Sequence, residues 1–263
     1  MSYESTVSQA ILRSYSQKLD SCLQSDAVVV GAGPAGLVCA RKLADAGLKV
    51  ALFEKRLAPG GGLWGGGMGM NDAVIEEEMR PLLEEAGVRH RAYGEALLVA
   101  DACELAAGLL LSAMKANATL LNLTYLEDLV VKEGRVSGVV ANRTLVVETL
   151  PVDPLSFDAR AVVDATGHEA VCANLLRKRG LLPGPARAVD GEGPMDVFAA
   201  ETFVVENTGA CFPGLYLAGM SVCSVLGGPR MGPIFGGMLR SGARAAERIL
   251  ADFEAGRCER TIQ

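Results

Sequence analysis

The residues best placed to do chemistry begin at Gly31-Ala-Gly-Pro-Ala-Gly36, a GxGxxG turn. Such a turn binds a dinucleotide by dividing the work: Gly31 permits the tight bend, Gly33 lets a pyrophosphate approach the backbone, and Gly36 lets helix and sheet pack closely. The N–H groups at the start of the following helix then face the phosphate charge. Glu54 lies eighteen residues beyond Gly36, where an acid accepts the hydroxyls of an adenosine ribose. Strand, glycine turn, helix and acid together indicate an adenine dinucleotide, with a purely structural glycine turn as the alternative. A flavin is less well served, because flavoproteins of this fold tend to end a late strand in Gly-Asp and this chain has Gly219-Met220.

Four further residues could do chemistry. His168 follows the turn Ala165-Thr166-Gly167, at the carboxyl end of the sheet where open α/β folds place ligands; capping the next helix is its plainer role. His90, between Arg89 and Arg91, is expected to face solvent. Arg230 lies in Gly227-Gly-Pro-Arg-Met-Gly-Pro233, where its planar fork suits a small carboxylate or a surface ion pair. Asp153, between Val152 and Pro154, stands outside any regular element, as an Asx turn would.

These groups need a frame. A strand over 26–30, a helix over 37–46 stopping at Gly47, and a strand over 49–53 make a βαβ unit spanning 26–56. Val7, Ile11, Tyr15 and Leu19, four apart, predict a helix over 5–20 that leans on the body. The seven glycines of 59–70 are interleaved with Leu63, Trp64, Met68 and Met70. That suggests backbone packed against a ligand or another subunit, where a polar flexible linker is the alternative. Helices are expected over 76–86, interrupted by Pro81, over 101–115 and over 233–253. Strands are expected over 119–123, 160–163 and 215–218, with a hairpin over 129–140 turning at Glu133-Gly134. The expected fold is α/β: a Rossmann-like dinucleotide-binding fold of the glutathione-reductase type, with an inserted antiparallel β excursion, in one domain over 1–263.

Composition sets the outer limits. Half of the 263 residues are apolar and 21% are charged, a globular balance. The net charge of −6, without runs of like charge, speaks against nucleic acid as a partner. Uninterrupted apolar stretches fall short of the ~18 residues that a membrane span requires, and the first twenty residues are too polar for a secretory signal. Seven cysteines without a CxxC pair suggest free thiols and a cytoplasmic location.

Longer motifs narrow the reading. SQAILRSYSQKLD, GAGPAGL, FEKRLAPGGGLWGGGMGMN, the pair VDP and DATGHEA, and GLYLAGMSV with GGPRMGPIFGGM resemble the thiamine thiazole synthases over about residues 7–253. The resemblance, closest to the archaeal and prokaryotic branch, implies an enzyme that consumes NAD. Nicotinamide is lost, the freed ribose is isomerised and condenses with glycine, and sulfur is inserted to close an ADP-linked thiazole carboxylate, the thiazole precursor of thiamine. In that branch the sulfur is free sulfide, Fe(II) is required and turnover is multiple; in the fungal and plant branch a protein cysteine gives up its sulfur. The resemblance also implies that Asp153 and His168, fifteen residues apart, bind the iron as carboxylate and imidazole ligands. It gives Arg230 the carboxylate of glycine, and ligand contacts to Ala35, Lys55, Gly62, Leu126 (by its backbone, near the adenine) and Met220. It implies a homo-octamer with sites shared between subunits, and neither nucleic-acid nor membrane partners.

One position departs from the pattern. Pro151 stands where the family carries cysteine or histidine, and proline has no transferable sulfur. The expectation is therefore a sulfide-dependent enzyme. The alternatives are another thiol in the role, with Cys172 the nearest candidate and a buried apolar residue its plainer reading, a ribose-1,5-bisphosphate isomerase-like activity, a flavin-dependent oxidoreductase, or a relic that holds NAD or the thiazole adduct without making it.

Overall fold

A computed structural model describes residues 2–145, 152–184 and 191–257; Pro151 lies outside them. The chain begins with α1 (Tyr3–Cys22), capped by the Ser2 hydroxyl, which accepts the Ser5 N–H at 3.2 Å. The dinucleotide unit follows as β1 (Gln24–Val30), α2 (Pro34–Asp45) and β2 (Val50–Glu54). Next come β3 (Asp72–Glu76), α3 (Arg80–Glu85), β4 (His90–Tyr93), β5 (Leu97–Asp101) and α4 (Ala102–Lys115). Then β6 (Thr119–Asn122), the pair β7 (Thr124–Lys132) and β8 (Arg135–Arg143), and the long β9 (Leu155–Asp164) lead to α5 (Val171–Lys178). The last part holds β10 (Gly193–Met195), α6 (Val197–Glu206), β11 (Gly209–Phe212), β12 (Leu215–Leu217), α7 (Met220–Leu226), β13 (Pro229–Arg230) and α8 (Gly236–Glu254).

The main sheet runs β11-β12-β9-β1-β2-β6. Every pairing from β12 to β6 is parallel, and β11 closes one edge antiparallel. β1 shows why its sequence is an almost unbroken apolar run: Ala27 and Val29 face one core, Val28 and Val30 the other. A central parallel strand has no solvent face, so alternation disappears. The core on one side lies under α2, α4 and α8. On the other side it is closed by α5, α7 and the β7–β8 hairpin, which joins the sheet through β9. Phe157 of β9 meets Phe53 of β2 edge to face, with ring centroids 4.9 Å apart, and fastens this layer next to the carboxyl end of β2. The hairpin turns at Glu133 and Gly134, both at positive φ, as a two-residue hairpin turn requires.

Several boundaries differ from expectation. Glu76 ends β3, and only Arg80–Glu85 is α-helical, so Pro81 sits in the first turn of a short helix, where its missing N–H costs nothing. The last helix begins at Gly236, because the residues before it are extended: Ile234 bridges Val74 and the Phe235 N–H donates to the Val74 carbonyl. On α1 only Tyr15 and Leu19 of the apolar stripe pack on the body, whereas Val7 and Ile11 are exposed. Among the described residues no helix is long and apolar enough to cross a membrane.

Candidate functional site

The glycine turn shows three different reasons for glycine. A Cβ on Gly31, which has φ +100°, would lie 2.4 Å from the Ala165 carbonyl oxygen. One on Gly36 would lie 1.9 Å from the Gly31 oxygen. One on Gly33 would meet no protein atom within 4 Å. Gly31 and Gly36 are thus needed for packing, while Gly33 keeps space open at the start of α2. Beside the turn, the buried Glu54 accepts the Ala32 N–H (3.1 Å) on one oxygen and the Arg56 N–H (2.8 Å) on the other. Each oxygen keeps a lone pair for a further donor.

The turn opens into a cavity of about 480 Å³, within the range of small-molecule sites. Gly31, Gly33 and Ala35 line it from the turn, Glu54 and Lys55 from the end of β2, and Gly62 from the glycine loop. Leu126 reaches it from β7, Met220 from the start of α7, and His168 from beyond β9. Gly36 lies outside the lining, as its packing role dictates. The Lys55 ammonium is paired at 2.6 Å with Glu169, another lining residue, so a cation and an anion stand together at this wall.

The segment that presents His168 is held from below by Asp164, fully buried at the end of β9. Its carboxylate accepts the Thr166 N–H (3.1 Å), the Thr166 hydroxyl (2.7 Å) and the Ala173 N–H (3.0 Å). Burial raises the Asp164 carboxyl above its ordinary range, and these donors pull partly the other way. Buried carboxylates without such partners cost several kcal/mol, which is why the turn and α5 are drawn onto it. Above it, the Ser224 hydroxyl donates to the His168 carbonyl at 2.9 Å. The imidazole Nδ1 is in hydrogen-bond contact with the Glu192 carboxylate.

Not every expected residue comes to the cavity. Asp153 is exposed just before β9 and does not line it; among the described residues no three His, Cys, Asp or Glu side chains are grouped to hold a metal. Arg230 is exposed on β13, while the next two residues, Met231 and Gly232, do line the cavity. No ion pair to Arg230 forms among the described residues. Cys172 is fully buried, and burial pushes its thiol well above the ordinary value of 9.0, which leaves it a core residue. His90, expected to face solvent, is half-buried: the Arg80 guanidinium donates to its Nε2 at 2.9 Å, so Nδ1 carries the proton and donates to the Val88 carbonyl at 3.0 Å. It braces α3 against β4, far in role from the cavity. Conversely, Glu169, Phe235 and Met238 line the cavity and lie within DATGHEA and GGPRMGPIFGGM, motifs in which sequence assigns them no role, while Glu192, which meets His168 outside that lining, carries no local motif.

With this geometry in place, the comparisons with known proteins are specific. The family model described as the Thi4 family matches residues 8–235. The chain is similar to the thiamine thiazole synthase of Pyrococcus abyssi, 48% identical over 248 residues, covering 94% of this chain and 97% of that protein. It is similar to the same-named protein of Thermococcus kodakarensis at 50% identity over 248 residues, again 94% and 97%. Among solved structures, that of Thermovibrio ammonificans THI4 superposes with a TM-score of 0.92 at 40% identity, covering 97% of this chain and 99% of that one.

Proposed function

The chain belongs to the Thi4 family, and from that premise we propose that it is a thiamine thiazole synthase, assembling an ADP-linked thiazole carboxylate from NAD, glycine and sulfide. The observation that carries the reading is one cavity that joins the dinucleotide turn to His168. The pyrophosphate lies over Gly33 against the first N–H groups of α2, Glu54 accepts ribose hydroxyls, and the Leu126 backbone borders the adenine. Ala35, Lys55, Gly62 and Met220, which line the same cavity, make further contacts to the ligand. Arg230, exposed and without an ion-pair partner among the described residues, is free to take the carboxylate of glycine.

Fe(II) fits the donors in part. Nδ1 of His168 faces an anion, so it carries the proton and Nε2 keeps its lone pair for a metal. Asp153, outside the cavity of its own chain, supplies the carboxylate from a neighbouring subunit of a homo-octamer. Bound there, Fe(II) would supply Lewis acidity and a meeting point for sulfide. No cysteine lines the cavity among the described residues, and the buried Cys172 thiol is held protonated. Both observations support free sulfide as the sulfur source and, with it, multiple turnover. The reading also takes the chain as one α/β domain of the glutathione-reductase type, with the β7–β8 hairpin as its insertion. Free thiols at the described cysteines fit a cytoplasmic setting.

Anaerobic incubation with NAD, glycine, sulfide and Fe(II) should yield many equivalents of ADP-thiazole per subunit by mass spectrometry, only with sulfide, and with the protein mass unchanged. Bound nucleotide without product would leave a binding relic. Asp153→Ala and His168→Ala should each abolish turnover, and oligomers mixed from the two variants should regain part of it. Absence of recovery would place both ligands in one subunit.

A further inference from the structure

Glu192 is an acid with an unusual setting. Its side chain is only 11% exposed, and its hydrogen-bond partner is the Nδ1 of His168, whose own side chain is 62% exposed. Removing a carboxylate from water is costly unless a donor compensates it, and the imidazole N–H is that donor. The contact joins residues 24 apart in sequence. It is set by the smallest sheet of the fold, β10 paired in parallel with β13. The Gly193 N–H, next to Glu192, donates to the Gly228 carbonyl at 2.9 Å, and the Asp196 N–H to the Arg230 carbonyl at 3.2 Å. The strand carrying Arg230 therefore also fixes where the Glu192 carboxylate stands.

We propose that Glu192 is a positioning residue that orients His168 as a metal ligand, forming a carboxylate–histidine–metal arrangement across the β10–β13 ladder; this rests on the assignment of His168 as an iron ligand. An anion on Nδ1 fixes the tautomer, prevents the ring from flipping, and increases the basicity of the opposite nitrogen. The exposed histidine, with the cavity on one side, would otherwise rotate freely. The Ser224 hydroxyl holds the His168 carbonyl but leaves the ring torsions unrestrained, and Glu192 supplies that restraint.

The test is anaerobic Fe(II) binding by equilibrium dialysis to the intact oligomer, for wild type, Glu192→Gln, Glu192→Ala and His168→Ala. Both Glu192 variants should bind Fe(II) about 10- to 100-fold more weakly, while their NAD affinity stays within about twofold of wild type, which shows that the fold persists. At saturating Co(II) the visible bands of Glu192→Gln should match those of wild type, because the directly bound atoms are the same. Unchanged Fe(II) affinity in both Glu192 variants, with binding lost in His168→Ala, overturns the proposal and leaves the iron site standing. Band shifts showing a lost oxygen ligand overturn it too, by making Glu192 a ligand itself. Unchanged Fe(II) binding in His168→Ala would instead remove the iron-ligand assignment on which the proposal depends.

Discussion

Gly33 and Gly36 separate two uses of the same residue that a motif cannot distinguish. In α2, replacing glycine with alanine normally gains up to ~1 kcal/mol of helix propensity. At Gly36 that gain is overwhelmed, because the new methyl would lie 1.9 Å from the Gly31 oxygen; Gly36→Ala should destabilise the fold by about 1–3 kcal/mol or more. At Gly33 the backbone has an ordinary φ of −78° and the methyl meets no protein atom. Gly33→Ala should therefore melt like wild type but bind NAD about tenfold more weakly or worse, since one misplaced methyl in a fitted site is worth 1–3 kcal/mol. Thermal melts and calorimetric NAD titrations of the two variants read both halves. Equal NAD affinity in Gly33→Ala would mean that the pyrophosphate does not cross this glycine.

At the scale of elements, α8 meets α6 and β3 through two carboxyl groups. The Gly237 N–H donates to Glu201 of α6, and the Glu76 carboxylate at the end of β3 stands beside it as an acceptor for the proton that Glu201 carries. Burial, then the hydrogen bond and charge of Glu76, push Glu201 from 4.5 up to about 9. The folded protein holds this proton more tightly than the unfolded chain does. The resulting stability is whole below about pH 4.5, declines as pH rises, and is gone above about pH 9. Melting temperature should thus fall from pH 6 to pH 9, and Glu201→Gln, which cannot titrate there, should flatten the slope. An identical slope in that variant would remove Glu201 as its source. Neither this junction nor the His168–Glu192 contact could be read from sequence, and for the same reason. The βαβ unit around Gly31 announces itself because strand, turn, helix and acid follow one another within thirty residues. Glu76 instead reads as the start of a helix, and Glu192 as one acid in a glycine-rich stretch. Glu76 closes a five-residue strand whose partner acid comes from α6, far along the chain, and Glu192 depends on three- and two-residue strands too short to carry a periodicity. The proposed iron ligands were suggested only by family motifs, and their spacing along the chain did not bring Asp153 to the cavity.

The whole molecule leaves apolar surface that a lone chain does not explain. Tyr3, Val7 and Ile11 recur every four residues along α1, with Leu12 beside them, and all are exposed, Ile11 by 64%. In the glycine loop Leu63 is buried and Gly62 lines the cavity, while Met68 and Met70 point outward, exposed by 75% and 71%. A loop with one face on the cavity and the other apolar and open suits a subunit boundary that runs beside the active site. The proposed octamer with shared sites would unite these features with the position of Asp153. On a solvated helix, Ile11→Glu would alter stability by no more than about 0.5 kcal/mol; in an interface the buried charge would cost several times that. We expect Ile11→Glu, and more strongly Val7→Glu with Ile11→Glu, to lower the mass seen by light scattering and to lower thiazole formation in parallel, with the helical content kept. Subunits freed in this way should still bind NAD, because Gly33 and Glu54 come from the chain itself. They should lose Fe(II)-dependent turnover, because the proposed contribution of Asp153 to a neighbouring site would be lost. Unchanged assembly mass and full activity in the double variant would show that α1 lies outside the assembly, and the boundary would then have to be sought at Met68 and Met70.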